Sequence, residues 1–238
     1  MLIYLKFLVA ISVFSLFLIK YTKPKIFSLI YDKPDNKRKF HSKPIPLLGG
    51  IIIFFGLIIF SLLFKENSIL NFKFFLFLFL FFLTGFIDDI LNLKAYLKLI
   101  ILILLIILFK EYFIFSEIYF YEFGKIKITR FFNFIFMIFC ILIFINSSNM
   151  IDGIDGSAIT YFISISLFLL ISGDEANKNL LICLIIIFIF LLFLNLTKKI
   201  FLGDGGIYLS SILLCHLIIQ DHNLALDNNF NYGILYAE

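Results

Sequence analysis

Apolar residues run along this chain in long blocks, separated by short segments rich in Asp, Asn, Lys and Gly. The blocks cover residues 2–19, 47–64, 69–87, 95–109, 131–145, 157–172, 180–196 and 205–220. A helix needs roughly 20 mostly apolar residues to cross a bilayer, and long apolar runs are the signature of such helices. The pattern predicts an all-α polytopic integral membrane protein with about eight transmembrane helices. Residues 1–220 read as one transmembrane domain and 221–238 as a polar tail. One polar stretch differs from the rest. Residues 118–128 alternate partly around Gly124, which predicts a small hairpin or an ordered loop with interfacial aromatics.

Composition strengthens the membrane reading. Hydrophobic residues make up 62% of the 238 positions and charged residues 15%, against roughly 25% charged in an average soluble domain. With a mean hydropathy of +1.08, a soluble globular enzyme and a disordered chain are both excluded. Cys140, Cys183 and Cys215 all lie in apolar blocks without metal-ligand spacing, so they read as small hydrophobes. The first block is followed by Tyr21-Thr22-Lys23-Pro24 rather than by a small-residue cleavage site.

The net charge of +4 gains meaning once the charges are placed. Eight spans divide the loops into two sets. Loops 20–46, 88–94, 146–156 and 197–204, with Lys98 counted alongside, carry 12 Lys and Arg. The opposite set carries 7, and Lys73 lies within a span. The positive-inside rule then places the first set in the cytoplasm. The N-terminus and the 118–128 hairpin fall outside. The acids sort as well. Asp32, Asp35, Asp88, Asp89, Asp152, Asp155 and Asp204 fall on the cytoplasmic set, whereas all six Glu fall on the other. Solvation alone tolerates either residue, so a face that carries only Asp, together with most of the glycines, predicts a functional surface there.

Four segments carry the candidate chemistry. Asp88 and Asp89 close the third span, where two adjacent carboxylates need a metal, a basic partner or a raised pKa. A merely solvated helix end is the alternative, weakened because a helix C-terminus disfavours negative charge. Lys98 enters the next span, either as a phosphate contact or snorkelling to the interface. In Asn146-Ser147-Ser148-Asn149-Met150-Ile151-Asp152-Gly153-Ile154-Asp155-Gly156, residues 146, 149 and 152 share a helix face, and Asp155 extends the series. Amides and carboxylates in one stripe suit a nucleotide and a hard cation. A calcium loop of the EF-hand type fails for want of an acid at its twelfth position. Gly203-Asp204-Gly205-Gly206 opens the last span, and its backbone N–H groups are expected to be free for an anion while Asp204 holds Mg²⁺. An N-cap role for Asp204 is the plainer alternative. The basic loop 32–50 is first a topology determinant or lipid contact. Its Pro44-Ile45-Pro46 and Gly49-Gly50 place Lys43 near the membrane edge, so Lys43 and His41 are candidates for a substrate phosphate. His216 and His222 read as structural or exposed.

In this order and spacing the segments resemble the polyprenyl-phosphate N-acetylhexosamine-1-phosphate transferase family, over about residues 30–215. The basic loop looks more like the GlcNAc-1-phosphate branch than the peptidoglycan branch. The resemblance implies transfer of an N-acetylhexosamine-1-phosphate from a UDP-sugar to undecaprenyl phosphate, releasing UMP. That step initiates a cell-envelope glycan such as O-antigen or lipopolysaccharide. It implies a bacterial inner-membrane enzyme with a cytoplasmic active site and Mg²⁺, or Mn²⁺ in its place. By the resemblance, Asp204 and Asn149 are metal ligands, and Asp88, Asp89 and Lys98 are catalytic. Lys43, His41, Asn146, Asp152 and Asp155 bind substrate. The partners are the lipid, the nucleotide sugar and the bilayer, with no nucleic acid. Ser157 stands where the family usually has Leu. Members usually continue with further spans and a basic cytoplasmic loop, so a truncated remnant or half of a split enzyme is the alternative reading. An ion-coupled transporter fits less well, because the acids cluster on one face rather than mid-span.

Overall fold

The structure is a computed structural model that describes residues 1–22, 28–32, 44–64, 71–113, 118–120, 124–126, 130–152, 155–173 and 175–227. An α-helix forms at every apolar block: α1 (Leu2–Tyr21), α2 (Gly49–Leu63), α3 (Phe72–Leu91), α4 (Ala95–Leu108), α5 (Arg130–Ile151), α6 (Ser157–Ser172), α7 (Lys178–Leu196) and α8 (Gly203–Asp227). Segments Leu2–Tyr21, Phe72–Leu91, Phe131–Ile151 and Glu175–Leu196 are each long and apolar enough to cross a membrane. Helices α2, α4 and α6 are shorter apolar helices. This is an all-α polytopic membrane protein. Helices satisfy their own backbone groups, which is what hydrocarbon demands.

Four helices, α1, α3, α5 and α8, run past the C-terminal ends of their apolar blocks. α5 continues from 145 to Ile151, so Asn146 and Asn149 are helical rather than in a loop. Its polar side chains bond back into the helix: Asn146 Nδ2 donates to the Leu142 carbonyl at 2.9 Å and Ser148 Oγ to the Phe144 carbonyl at 2.8 Å. With their donors met in this way, these residues do not compete with the helix. α8 runs to Asp227, into the stretch read as tail.

Packing is organised around α8, whose residues 205–215 are all buried. Its most extensive partner is α3, followed by α2, α5 and α6. Between helices in lipid there is little hydrophobic drive, so close packing over small residues holds them together. Glycines supply the approach here. A Cβ on Gly85 of α3 would come 2.3 Å from the Asp204 carbonyl oxygen, and one on Gly50 of α2 would come 2.7 Å from the Gly206 nitrogen.

Two small hairpins decorate the two ends. β3 (Ile118–Phe120) pairs antiparallel with β4 (Gly124–Ile126), in register Tyr119↔Lys125, where the alternation around Gly124 predicts it. At the aspartate-bearing end β1 (Tyr31–Asp32) pairs antiparallel with β2 (Ile45–Pro46). Leu47 then bridges to Phe201, and Phe201 N–H donates to the Pro46 carbonyl at 2.9 Å. Proline can offer its carbonyl to a neighbouring strand though it has no N–H. Nothing in the hydrophobic pattern announces this second hairpin, since its strands are two residues long.

Candidate active site

The ends of α2, α3 and α8 meet at one point. The first N–H groups of a helix have no partner inside it. For α2, Gly49 and Gly50 donate to the carbonyls of Phe201 and Leu202, at 3.1 and 3.2 Å. For α8, Asp204 N–H donates to Asp89 Oδ1 at 2.9 Å, and Gly205 N–H donates to Asp89 Oδ2 at 3.2 Å. Read along the chain, these N–H groups are open to an external anion. The structure corrects that: the anion at the start of α8 is the protein's own Asp89. Gly203 makes the approach possible. It sits at φ +72°, and a Cβ there would come 2.7 Å from Asp89 Oδ2.

Asp88 faces the other way and is almost fully buried. Its carboxylate pairs with Lys98 and accepts from Leu93 N–H at 2.9 Å. Tyr208 O–H of α8 donates to it at 3.4 Å. The chain reverses at Asn92, in the left-handed region at φ 49°, and this turn brings the first turn of α4 back over α3. Lys98 therefore meets a carboxylate instead of lipid, and its Nζ also lies 4.0 Å from Asp204 Oδ2. About a quarter of each of the Lys98 and Asp204 side chains is exposed. An apolar cavity of about 230 Å³ lies beside this cluster, between α3 and α4, lined in part by Thr84, Ile87, Leu93 and Ile101. Tyr208 carries no sequence signal, because an aromatic in an apolar block gives no sign of a polar partner.

Asp152 follows the end of α5, and Asp155 lies in the next turn. The Asp155 carboxylate is 3.8 Å from Lys198, which joins the α5–α6 and α7–α8 connections. Burial, and then the nearby charges of Asp89 and Asp155, push the Asp152 carboxyl from 3.8 up to about 7. The folded chain thus holds this proton more tightly than the unfolded one. The resulting stability is complete below pH 3.8 and is lost as pH rises through about 7. In EDTA, Asp152→Asn is expected to unfold at a higher temperature than the wild type at pH 8 and at the same temperature at pH 4. Equal melting at both pH values in detergent would show that Asp152 carries no such strain.

The donors suit a hard cation. Asp88 and Asp204 flank a single ammonium, Lys98, and Asp89 lies beside them at the start of α8, so carboxyl groups outnumber cations. Among the described residues no three His, Cys, Asp or Glu side chains close into a preformed cage. Mg²⁺ does not need one, since it is usually held by one or two carboxylates plus waters and substrate phosphates. Asp204 fits that role. Asn149 is half-buried on the last turn of α5, which packs on α8, and Asn146 is exposed nearby on the same helix. His41 and Lys43 lie outside the described residues.

Residues 71–221 match the model of glycosyl transferase family 4. The chain belongs to glycosyl transferase family 4. The matched region holds Asp88, Asp89, Lys98, Asn149, Asp152 and Asp204 but not His41 or Lys43. The chain is 30% identical over 185 residues to an undecaprenyl-phosphate alpha-N-acetylglucosaminyl 1-phosphate transferase of Thermotoga maritima, over 75% of this chain and 52% of the relative. It is also 30% identical over 188 residues to a phospho-N-acetylmuramoyl-pentapeptide-transferase of Thermotoga petrophila, over 71% of this chain and 58% of the relative. The chain therefore spans about half the length of the curated relatives it matches.

Proposed function

We propose that the chain forms the catalytic part of a sugar-1-phosphate transferase acting on a polyprenyl phosphate. The observation that carries this reading is the Asp88–Lys98–Asp204 cluster at the helix ends, with two carboxyl groups at one ammonium and about a quarter of the Lys98 and Asp204 side chains exposed. The substrates are a UDP-N-acetylhexosamine and undecaprenyl phosphate. A lipid phosphate oxygen attacks the sugar-bearing phosphorus of the nucleotide, the bond between the two phosphates breaks, and UMP leaves. Asp204 and Asn149 would hold Mg²⁺, which when bound neutralises charge on the diphosphate oxygens. Lys98 offers its ammonium to a phosphate and gives up part of its pairing with Asp88. Asp88 is held in place by Leu93 and Tyr208, so it stays fixed when Lys98 shifts. The cavity between α3 and α4 offers an apolar seat within one helical turn of Asp88. Asp152, Asp155 and Asn146 border the side where the nucleotide would lie. His41 and Lys43 are assigned to phosphate contacts by the resemblance alone. In this reading the site faces the cytoplasm of a bacterial inner membrane, the N-terminus lies outside, and the product feeds cell-envelope glycan synthesis.

Membranes containing the chain, given undecaprenyl phosphate, Mg²⁺ and UDP-N-acetylglucosamine, are expected to release UMP at least tenfold above membranes lacking it. The release should vanish in EDTA. Release that is independent of the lipid acceptor would mean hydrolysis, and would rule out transfer.

A further inference from the structure

The two adjacent aspartates at the end of α3 have different surroundings. Asp88 turns to Lys98, Tyr208 and the Leu93 N–H. Asp89 turns to the backbone of α8 and accepts from both Asp204 and Gly205 N–H groups. We infer that Asp89 is a positioning residue: it caps α8 from a neighbouring helix and thereby sets the direction in which Asp204 presents its carboxylate.

Three observations converge on this. Each Asp89 oxygen takes one N–H from the first turn of α8, a two-point hold that fixes the helix end in rotation as well as in distance. A carboxylate at that end also meets the positive end of the helix dipole. The glycines around the contact have the sizes it needs: a Cβ at Gly203 would strike Asp89 Oδ2, and one at Gly85 would strike the Asp204 carbonyl. Finally, Asp204 is the residue whose own N–H is held, so any slackening at Asp89 is passed directly to it. Both neighbours of the pair are thus accounted for, with Asp88 tied to the cation and Asp89 tied to the helix.

This inference rests on the metal role proposed for Asp204, but its first test does not. In the wild-type protein in detergent, the Asp204 and Gly205 amides should exchange hydrogen slowly despite lying in the first turn of a helix. Fast exchange there overturns the cap. Asp89→Asn keeps one acceptor but turns an amino group toward the other N–H, so exchange at these amides should rise roughly tenfold. Gly203→Ala reaches the same contact from the other side and should do likewise if Asp89→Asn fails to fold. The second test is a titration with Mg²⁺ alone, followed by melting temperature. Asp89→Asn should raise the half-saturating Mg²⁺ roughly tenfold, the lower end expected for residues that orient a metal ligand. Added to Asp204→Asn, it should change the Mg²⁺ response no further, because it acts through Asp204. An additive effect would make Asp89 an independent ligand and overturn the inference. A wild type with no Mg²⁺ response sinks the metal reading instead, and the exchange result then decides the cap alone.

Discussion

Asp204→Asn is expected to lower UDP-sugar-dependent UMP release by roughly 10²–10³-fold while leaving the protein folded. The size follows from the several kcal/mol of charge stabilisation a bound metal supplies, at about 1.4 kcal/mol per tenfold in rate. The substitution is nearly isosteric, and the backbone N–H at 204 still reaches Asp89 Oδ1. Only the charge of a partly exposed carboxylate beside Lys98 is removed. The fold should tolerate this, since the side chain is partly exposed and its backbone contact is kept. Initial rates across a Mg²⁺ series, with melting temperature as a control for folding, make the comparison. Undiminished release in a folded variant would remove Asp204 from the metal site.

Lys98→Met should have the largest effect on stability. The Asp88 side chain is only 1% exposed, and Lys98 is its cation. Removing one partner of a buried pair strands the other charge and typically costs about 3–5 kcal/mol. Lys98 is itself 26% exposed, and the Leu93 and Tyr208 donors remain, so the lower end, about 3 kcal/mol, is expected. Adding Asp88→Asn to Lys98→Met should restore most of the stability, because no bare charge is left, but none of the transferase activity. Denaturant unfolding in mixed micelles, read beside UMP release, separates the two effects. A single Lys98→Met variant as stable as the wild type would show that the fold does not depend on the Asp88–Lys98 pair.

Much of the candidate site is legible as residue types. The pairing of Asp88 with Asp89, the Asn149–Asp152 stripe and Asp204 beside glycines are departures from an apolar background, and such departures in a membrane chain need a reason. Their division of labour was not legible. Adjacent residues on a helix point about 100° apart, so Asp88 and Asp89 meet different partners, and those partners lie about 115 residues away along the chain in the case of α8. Tyr208 and the β1–β2 hairpin went unseen for the same reason. Each is defined by a contact distant in sequence, and neither has a local pattern.

The order of apolar blocks was enough to determine that this is a polytopic all-α membrane protein, where its helices begin, and on which end its aspartates gather. A bilayer imposes this on any chain, because its thickness and lack of hydrogen-bonding partners act on each segment locally. Which carboxylate holds a cation and which holds a helix was decided only in three dimensions. There the glycines of α2, α3 and α8 let three backbones approach until the N-terminus of one helix reached the side chain of another. The Asp204 and Gly205 N–H groups of α8, open when read along the chain, are closed by a residue from α3, and that contact sets the direction of Asp204.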